Sequence, residues 1–193
     1  VGIALQGVVT NVTSNQRGYS FLEIIVAVAV LSIMFGLATG VTMTAVNATK
    51  SDSATGALMN VLELARNQAT SQRRDFQLVF TTPDQIEVFR LELPTGSTLI
   101  MKRFLENGQS FNRFTGLPDT PDAFGHSGAV AFGTTPTIRF TSDGSLIDSS
   151  GDVLNGTLFV GVPNQVGSAR AVTIFGATGL IRSWRWQGSS WVN

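Results

Sequence analysis

Between positions 18 and 23 the chain reads Gly18-Tyr19-Ser20-Phe21-Leu22-Glu23, which places one carboxylate at the mouth of an uncharged run from Ile24 to Thr49. An ionised group in hydrocarbon costs roughly 2.5 to 3.5 kcal/mol on insertion scales, so it needs a partner and a purpose. Local chemistry can supply the partner. Arg17 marks the side that stays in the cytoplasm, and Gly18 offers a protease the extended, side-chain-free backbone that cleavage needs. A cut after Gly18 frees an amine on Tyr19, four residues before Glu23 and one helical turn away. In an assembly of parallel helices the amine of one subunit neutralises the carboxylate of another, and both charges leave the lipid together.

Other reactive side chains are sparse. His126 is the lone histidine and stands between Gly125 and Ser127, a context for surface or packing duty rather than for a catalytic base. No serine sits in a nucleophile elbow and no glycine loop has a phosphate-binding pattern. No catalytic residue, cofactor or metal site is therefore expected, and the chain does not read as an enzyme. Asp143, Asp148 and Asp152 carry oxygen ligands of the kind calcium prefers, but their spacing is not that of a calcium loop, and turn formation is the better reading. Near the carboxyl end Arg170, Arg182 and Arg185 are interleaved with Trp184, Trp186 and Trp191. Such a set can pair with phosphates and stack on bases, making DNA a candidate partner. In the plainer alternative, Arg182 alternates outward and the tryptophans cover the end of a sheet.

These residues need elements to position them. A bilayer core takes about 20 apolar residues of helix, a length that the stretch from Ile24 to Val46 meets; 19–49 is read as a transmembrane helix. Beyond it Ala54, Ala57, Leu58, Val61, Leu62, Ala65 and Ala69 recur every three or four positions, so 50–72 reads as an amphipathic continuation. Gly36, Gly40 and Gly56 are its soft points, and Gly36 with Gly40 has the spacing that permits close helix approach in lipid. From Arg73 the period changes to two. Strands are expected at 76–80, 86–91, 98–104, 137–140, 157–162, 169–175 and 180–186, with a long loop over 106–128 pinned by Phe111, Phe114 and Phe124. One helix followed by clustered strands is an α+β arrangement, antiparallel sheet packed on the helix. The layout is thus a leader at 1–18, the two helix halves, and a β domain at 73–193.

Composition is consistent with this. Charged residues make up 13% of 193, about half the share of a typical soluble domain. Thirteen basic and thirteen acidic side chains cancel, so no long-range field draws in nucleic acid or anionic lipid. The absence of cysteine rules out disulfides and thiolate metal sites.

The segment Gly18 to Glu23 with its apolar helix resembles the class III signal of type IV pilins and type II secretion pseudopilins; Tyr19 replaces the commoner phenylalanine. Three further stretches narrow the resemblance to the GspH/FimT family of minor pseudopilins: Leu64-Ala65-Arg66-Asn67-Gln68-Ala69, Ile138-Arg139-Phe140-Thr141-Ser142-Asp143-Gly144, and Ala169 through Arg182. The resemblance implies a pilin-like fold, cleavage between Gly18 and Tyr19 by a prepilin peptidase, N-methylation of Tyr19, and a filament in which Glu23 sets subunit register. It implies a single-pass protein of the cell inner membrane with its carboxyl-terminal domain in the periplasm. Its partners would be other pseudopilins or pilins near the tip of a type II secretion pseudopilus. A FimT-type minor pilin for pilus priming or DNA uptake is the alternative. The Gly-Arg-x-Arg pattern tied to DNA uptake is here Gly179-Leu180-Ile181-Arg182, without its first arginine. An ordinary signal peptide cut near Ala38-Thr39-Gly40 is a third reading, set aside because such apolar regions span only about 7 to 15 residues.

Overall fold

The computed structural model describes residues 19–133 and 136–193, with the side chains of 37–44 excepted. The leader, Gly18 included, lies outside the described residues. Two compact units are present, divided between Thr42 and Met43. A single helix, α1 (Phe21–Gln72), contributes to both. It runs unbroken through Gly36, Gly40 and Gly56, so the expected soft points do not interrupt it. The proposed span of 19–49 includes 37–44; among the described residues no helix is long and apolar enough to cross a membrane.

In the first unit every described side chain of α1 up to Gly36 is exposed. In the second, α1 buries one face, made of Ser51, Ala54, Thr55, Leu58, Val61, Leu62, Ala65 and Ala69. That recurrence is the helical period at work. The two polar members of the stripe do not need outside partners, because Ser51 donates to the Asn47 carbonyl at 3.0 Å and Thr55 to the Ser51 carbonyl at 2.8 Å.

Among the described residues eleven strands follow. They are β1 (Phe76–Thr81), β2 (Gln85–Leu91), β3 (Ser97–Phe104), β4 (Ser110–Phe111), β5 (Val130–Ala131), β6 (Thr137–Phe140), β7 (Leu146–Ile147), β8 (Gly156–Gly161), β9 (Arg170–Phe175), β10 (Leu180–Trp186) and β11 (Trp191–Val192). They form two antiparallel sheets. Sheet A has the order β3-β2-β1-β6-β7 and sheet B the order β11-β10-β9-β8-β4, with β5 also pairing β8. The expected α+β class, a long helix with antiparallel sheets, is what the chain adopts. The long loop of 106–128 needs one correction: β4 interrupts it, because Ser110 and Phe111 pair with Gly161 and Val160.

Both sheets pack on α1. In sheet A alternation is clean, with Phe76, Leu78 and Phe80 of β1, Ile86 and Val88 of β2, and Ile138 and Phe140 of β6 all inward. They share one core with Leu58 and Leu62 of α1 and with Leu158, Val160, Val172 and Ile174 of sheet B. Sheet B is covered on its outer face as well. There Phe114, Phe159, Ala169, Ala171 and Trp191 form a second cluster under the loop that follows β4.

Candidate functional site

The amino-terminal site is built from the first turn of α1. The Ser20 carbonyl accepts the Ile24 amide at 3.2 Å, which starts the helix, and Glu23 lies in its first turn. A negative side chain there complements the partial positive charge of the unsatisfied amides. Tyr19 is 81% exposed, and Phe21, Leu22, Ile25, Leu31 and Phe35 are all open. An uncovered apolar helix surface of this extent is stable only against lipid or other apolar helices.

The carboxyl-terminal arginines are placed differently from the reading that offered them to DNA. Arg170 is buried, its side chain 2% exposed, with Nε donating to Asp52 Oδ1 at 2.6 Å. Its Nη1 donates to the carbonyls of Gly167 and Ala169 at 3.3 and 3.0 Å, and its Nη2 to that of Ala48 at 3.2 Å. A charge is tolerated inside only when paired and hydrogen-bonded in this way. Arg170 is therefore a bolt between sheet B and α1 and is not available to a phosphate. Arg185, on the same side of β10, points its Nη1 at Asp52 Oδ2, 4.0 Å away.

On the opposite side of β10 one loop carboxylate gathers the rest. Asp122 Oδ1 accepts Arg182 Nη1 at 2.9 Å, and Asp122 Oδ2 accepts the Thr173 hydroxyl at 2.6 Å and the Trp184 indole N–H at 3.2 Å. Trp186 and Trp191 meet edge to face at 5.3 Å, and Trp191 donates to the Pro118 carbonyl at 3.0 Å. Each arginine of the set thus has a carboxylate beside it; Trp184 shares its indole donor between Asp122 and the Thr173 hydroxyl of β9, 3.0 Å away, and Trp191 gives its own to the loop. Sequence reasoning missed Asp52 and Asp122. They lie 118 and 60 residues from the arginines they hold, and nothing local signals such a pairing.

A second bolt was also missed. Arg66 of α1 donates from Nε to the Gly144 carbonyl at 3.3 Å and from Nη2 to the Thr178 carbonyl at 2.8 Å. It ties the helix to a turn of each sheet. Gly179 makes this possible: its φ is +63°, and a Cβ there would stand 2.3 Å from the Gly144 oxygen and 2.5 Å from Arg66 Nε.

The remaining candidates serve turns. His126 Nδ1 lies 3.6 Å from Asp119 Oδ2, and the Asp119 carboxylate accepts the amides of Thr120 and Gly125 at 2.7 and 2.9 Å. Asp148 Oδ1 accepts the amides of Ser150 and Asp152 at 2.7 and 3.0 Å. Asp143 takes hydrogen bonds from the Thr141 hydroxyl and from the Ser145 amide and hydroxyl; the Thr141 bond contributes most, and together they lower its pKa to about 2. Among the described residues no three metal-binding side chains are grouped to hold an ion.

Comparison with known proteins places these features. Residues 13–39 match the prokaryotic N-terminal methylation motif, and residues 54–179, well over half of the chain, match the family of type II transport protein GspH. No curated protein matches. Among solved structures, the type IV minor pilin FimU of Pseudomonas aeruginosa (strain PAO1) aligns at 15% identity and a TM-score of 0.50, over 75% of this chain and 94% of that one. The minor pseudopilin EpsH from the Type 2 Secretion System of Vibrio cholerae aligns at 16% identity and a TM-score of 0.47, over 72% and 97%. At such identity the FimU likeness shows a shared fold and nothing more. The family match carries the identification: this chain belongs to the GspH family, as a minor pseudopilin or minor pilin anchored at the inner membrane and assembling with other pilins or pseudopilins.

Proposed function

We propose that the chain is a minor pseudopilin of a type II secretion pseudopilus, cut by a prepilin peptidase between Gly18 and Tyr19, N-methylated on Tyr19, and placed at or near the filament tip to aid protein export. It crosses the inner membrane once through 19–49 and holds its β domain in the periplasm. Its work is mechanical, not catalytic. The observation that supports this most is that α1 begins at Phe21, two residues after the proposed new terminus, and leaves its apolar side chains as far as Phe35 uncovered. That surface suits first the bilayer and then the helices of neighbouring subunits, with Glu23 paired to the freed amine of one of them.

The same reading explains why the two arginine bolts matter. A filament subunit transmits force from its helix to its outer domain, and Arg66 and Arg170 fasten α1 to both sheets at separate points. DNA is the weaker partner, since Arg170, Arg182 and Arg185 are each beside a carboxylate. Mass spectrometry of the amino terminus, on protein extracted from cells that make filaments, tests the reading. A chain beginning at methylated Tyr19 is expected; an end near Gly40, or a retained leader in assembled protein, would overturn it.

A further inference from the structure

We propose that the outer edge of β3 is a docking site for an extended segment of a different protein chain, which joins sheet A as an additional strand and sets an acidic side chain against Arg103. This rests on the assembly reading above and goes beyond it by naming a surface and the chemistry of what binds there. The two sheets have four ends, β3 and β7 for sheet A and β11 and β4 for sheet B. Folded proteins blunt such edges because a row of unpaired amides and carbonyls invites another strand, and very short edge strands are one common device. Here β7, β11 and β4 are two residues long each, whereas β3 has eight. No proline interrupts it. Leu99, opposite Phe89, and Phe104, opposite Gln85, are 49% and 55% exposed on the outward face, and Arg103, opposite the buried Ile86, is exposed on the other, so the strand lacks cover on both faces.

The geometry limits where pairing occurs. Val88 stands opposite Met101 and Phe89 opposite Leu99, which makes Ile100 the extra residue of a bulge. Bulges bend a strand and break its ladder, leaving Met101 to Phe104 as the pairable run. That run borders a groove of about 310 Å³ between β3 and α1, walled by Leu58, Val61, Met101, Arg103, Phe104 and Glu106. The space suits apolar side chains carried on a backbone, and an unpaired strand edge selects an extended backbone over a helix.

Charge identifies the occupant further. Lys102 is already engaged, 3.3 Å from Glu87 and 5.4 Å from the centre of the Phe104 ring. The Arg103 guanidinium has no ion pair or hydrogen bond among the described residues, not even with Glu106 of the same groove; Arg73, Arg74 and Arg113 share that lack, but of the four only Arg103 lies on β3 and lines the groove. A second copy is disfavoured, because antiparallel pairing of β3 with itself brings two basic pairs together and like charges facing one another repel. An acidic, apolar strand from another subunit satisfies both the edge and Arg103.

The test is amide hydrogen exchange on the full chain, in detergent alone and in filaments extracted from cells that also express its filament partners. In filaments the β3 amides directed away from β2 are expected to slow by about tenfold or more, as newly paired amides do, and Arg103→Glu is expected to abolish that slowing while Arg103→Lys keeps it. Slowing confined to α1, with β3 unchanged, would overturn the docking site and leave the assembly reading standing. No slowing in α1 or β3 would overturn both. Slowing of β3 in detergent that grows with protein concentration would identify a second copy as the occupant and overturn the charge argument.

Discussion

Strands β8 and β3 have similar apolar content and opposite surroundings. Every position of β8, from Gly156 to Gly161, is buried; every position of β3 is exposed except the half-buried Met101. The cause is cover, not hydrophobicity. β8 has paired strands on both sides, the shared core on one face and the aromatic cluster under the loop after β4 on the other. β3 has one neighbour and a groove. The contrast teaches that burial in this fold follows cover: a central strand between two neighbours is closed on both faces, while the long edge strand of sheet A is left open.

Truncation should break that contrast most visibly. Leu158→Ala, in the core face of β8, is expected to lower unfolding stability by about 2 to 5 kcal/mol, whereas Leu99→Ala on β3 should fall within about 0.5 kcal/mol. Denaturant titration of the full chain in detergent checks both, and similar losses would mean that β3 is part of the folding core. Ion pairs sharpen the comparison next. Removing one partner of a buried pair costs about 3 to 5 kcal/mol; Asp52 is half exposed, so solvent screening reduces the expectation for Asp52→Ala to about 1 to 3 kcal/mol. The matching change on sheet A, Glu87→Ala, frees an exposed Lys102 and should cost under about 1 kcal/mol.

The smallest effect belongs to the blunted end of sheet A. Asp143, in the turn between β6 and β7, has its pKa lowered from 3.8 to about 2. A depressed carboxylate stabilises the fold above its unfolded pKa and loses that contribution as the pH falls through its folded one. Thermal unfolding should therefore show a slight loss from about pH 4 down to about pH 2 that Asp143→Asn flattens, small because the group is exposed. A slope unchanged by the substitution would remove the turn's role.

How much of this could be read in advance differs by element. β10 was legible to the residue because Leu180 to Trp186 alternates, and the buried stripe of α1 because its apolar residues recur with the helical period. β4, β5, β7 and β11 were not, since two residues carry no period and are held only by the partner strand. The order of sheet A, with β1 between β2 and β6, depends on long-range pairing that no local pattern encodes. At the site, Glu23 announced itself as a charge beside an apolar run. Arg170 could not be told from a phosphate ligand, because its burial depends on Asp52 in a helix 118 residues away.

Incorporation of Glu23→Ala into filaments tests the central claim most directly. The variant chain is expected to reach the inner membrane in normal amount, to be cut after Gly18, and to be missing from sheared filaments. Normal incorporation would contradict the role assigned to Glu23 and the subunit-to-subunit charge pair on which the account depends.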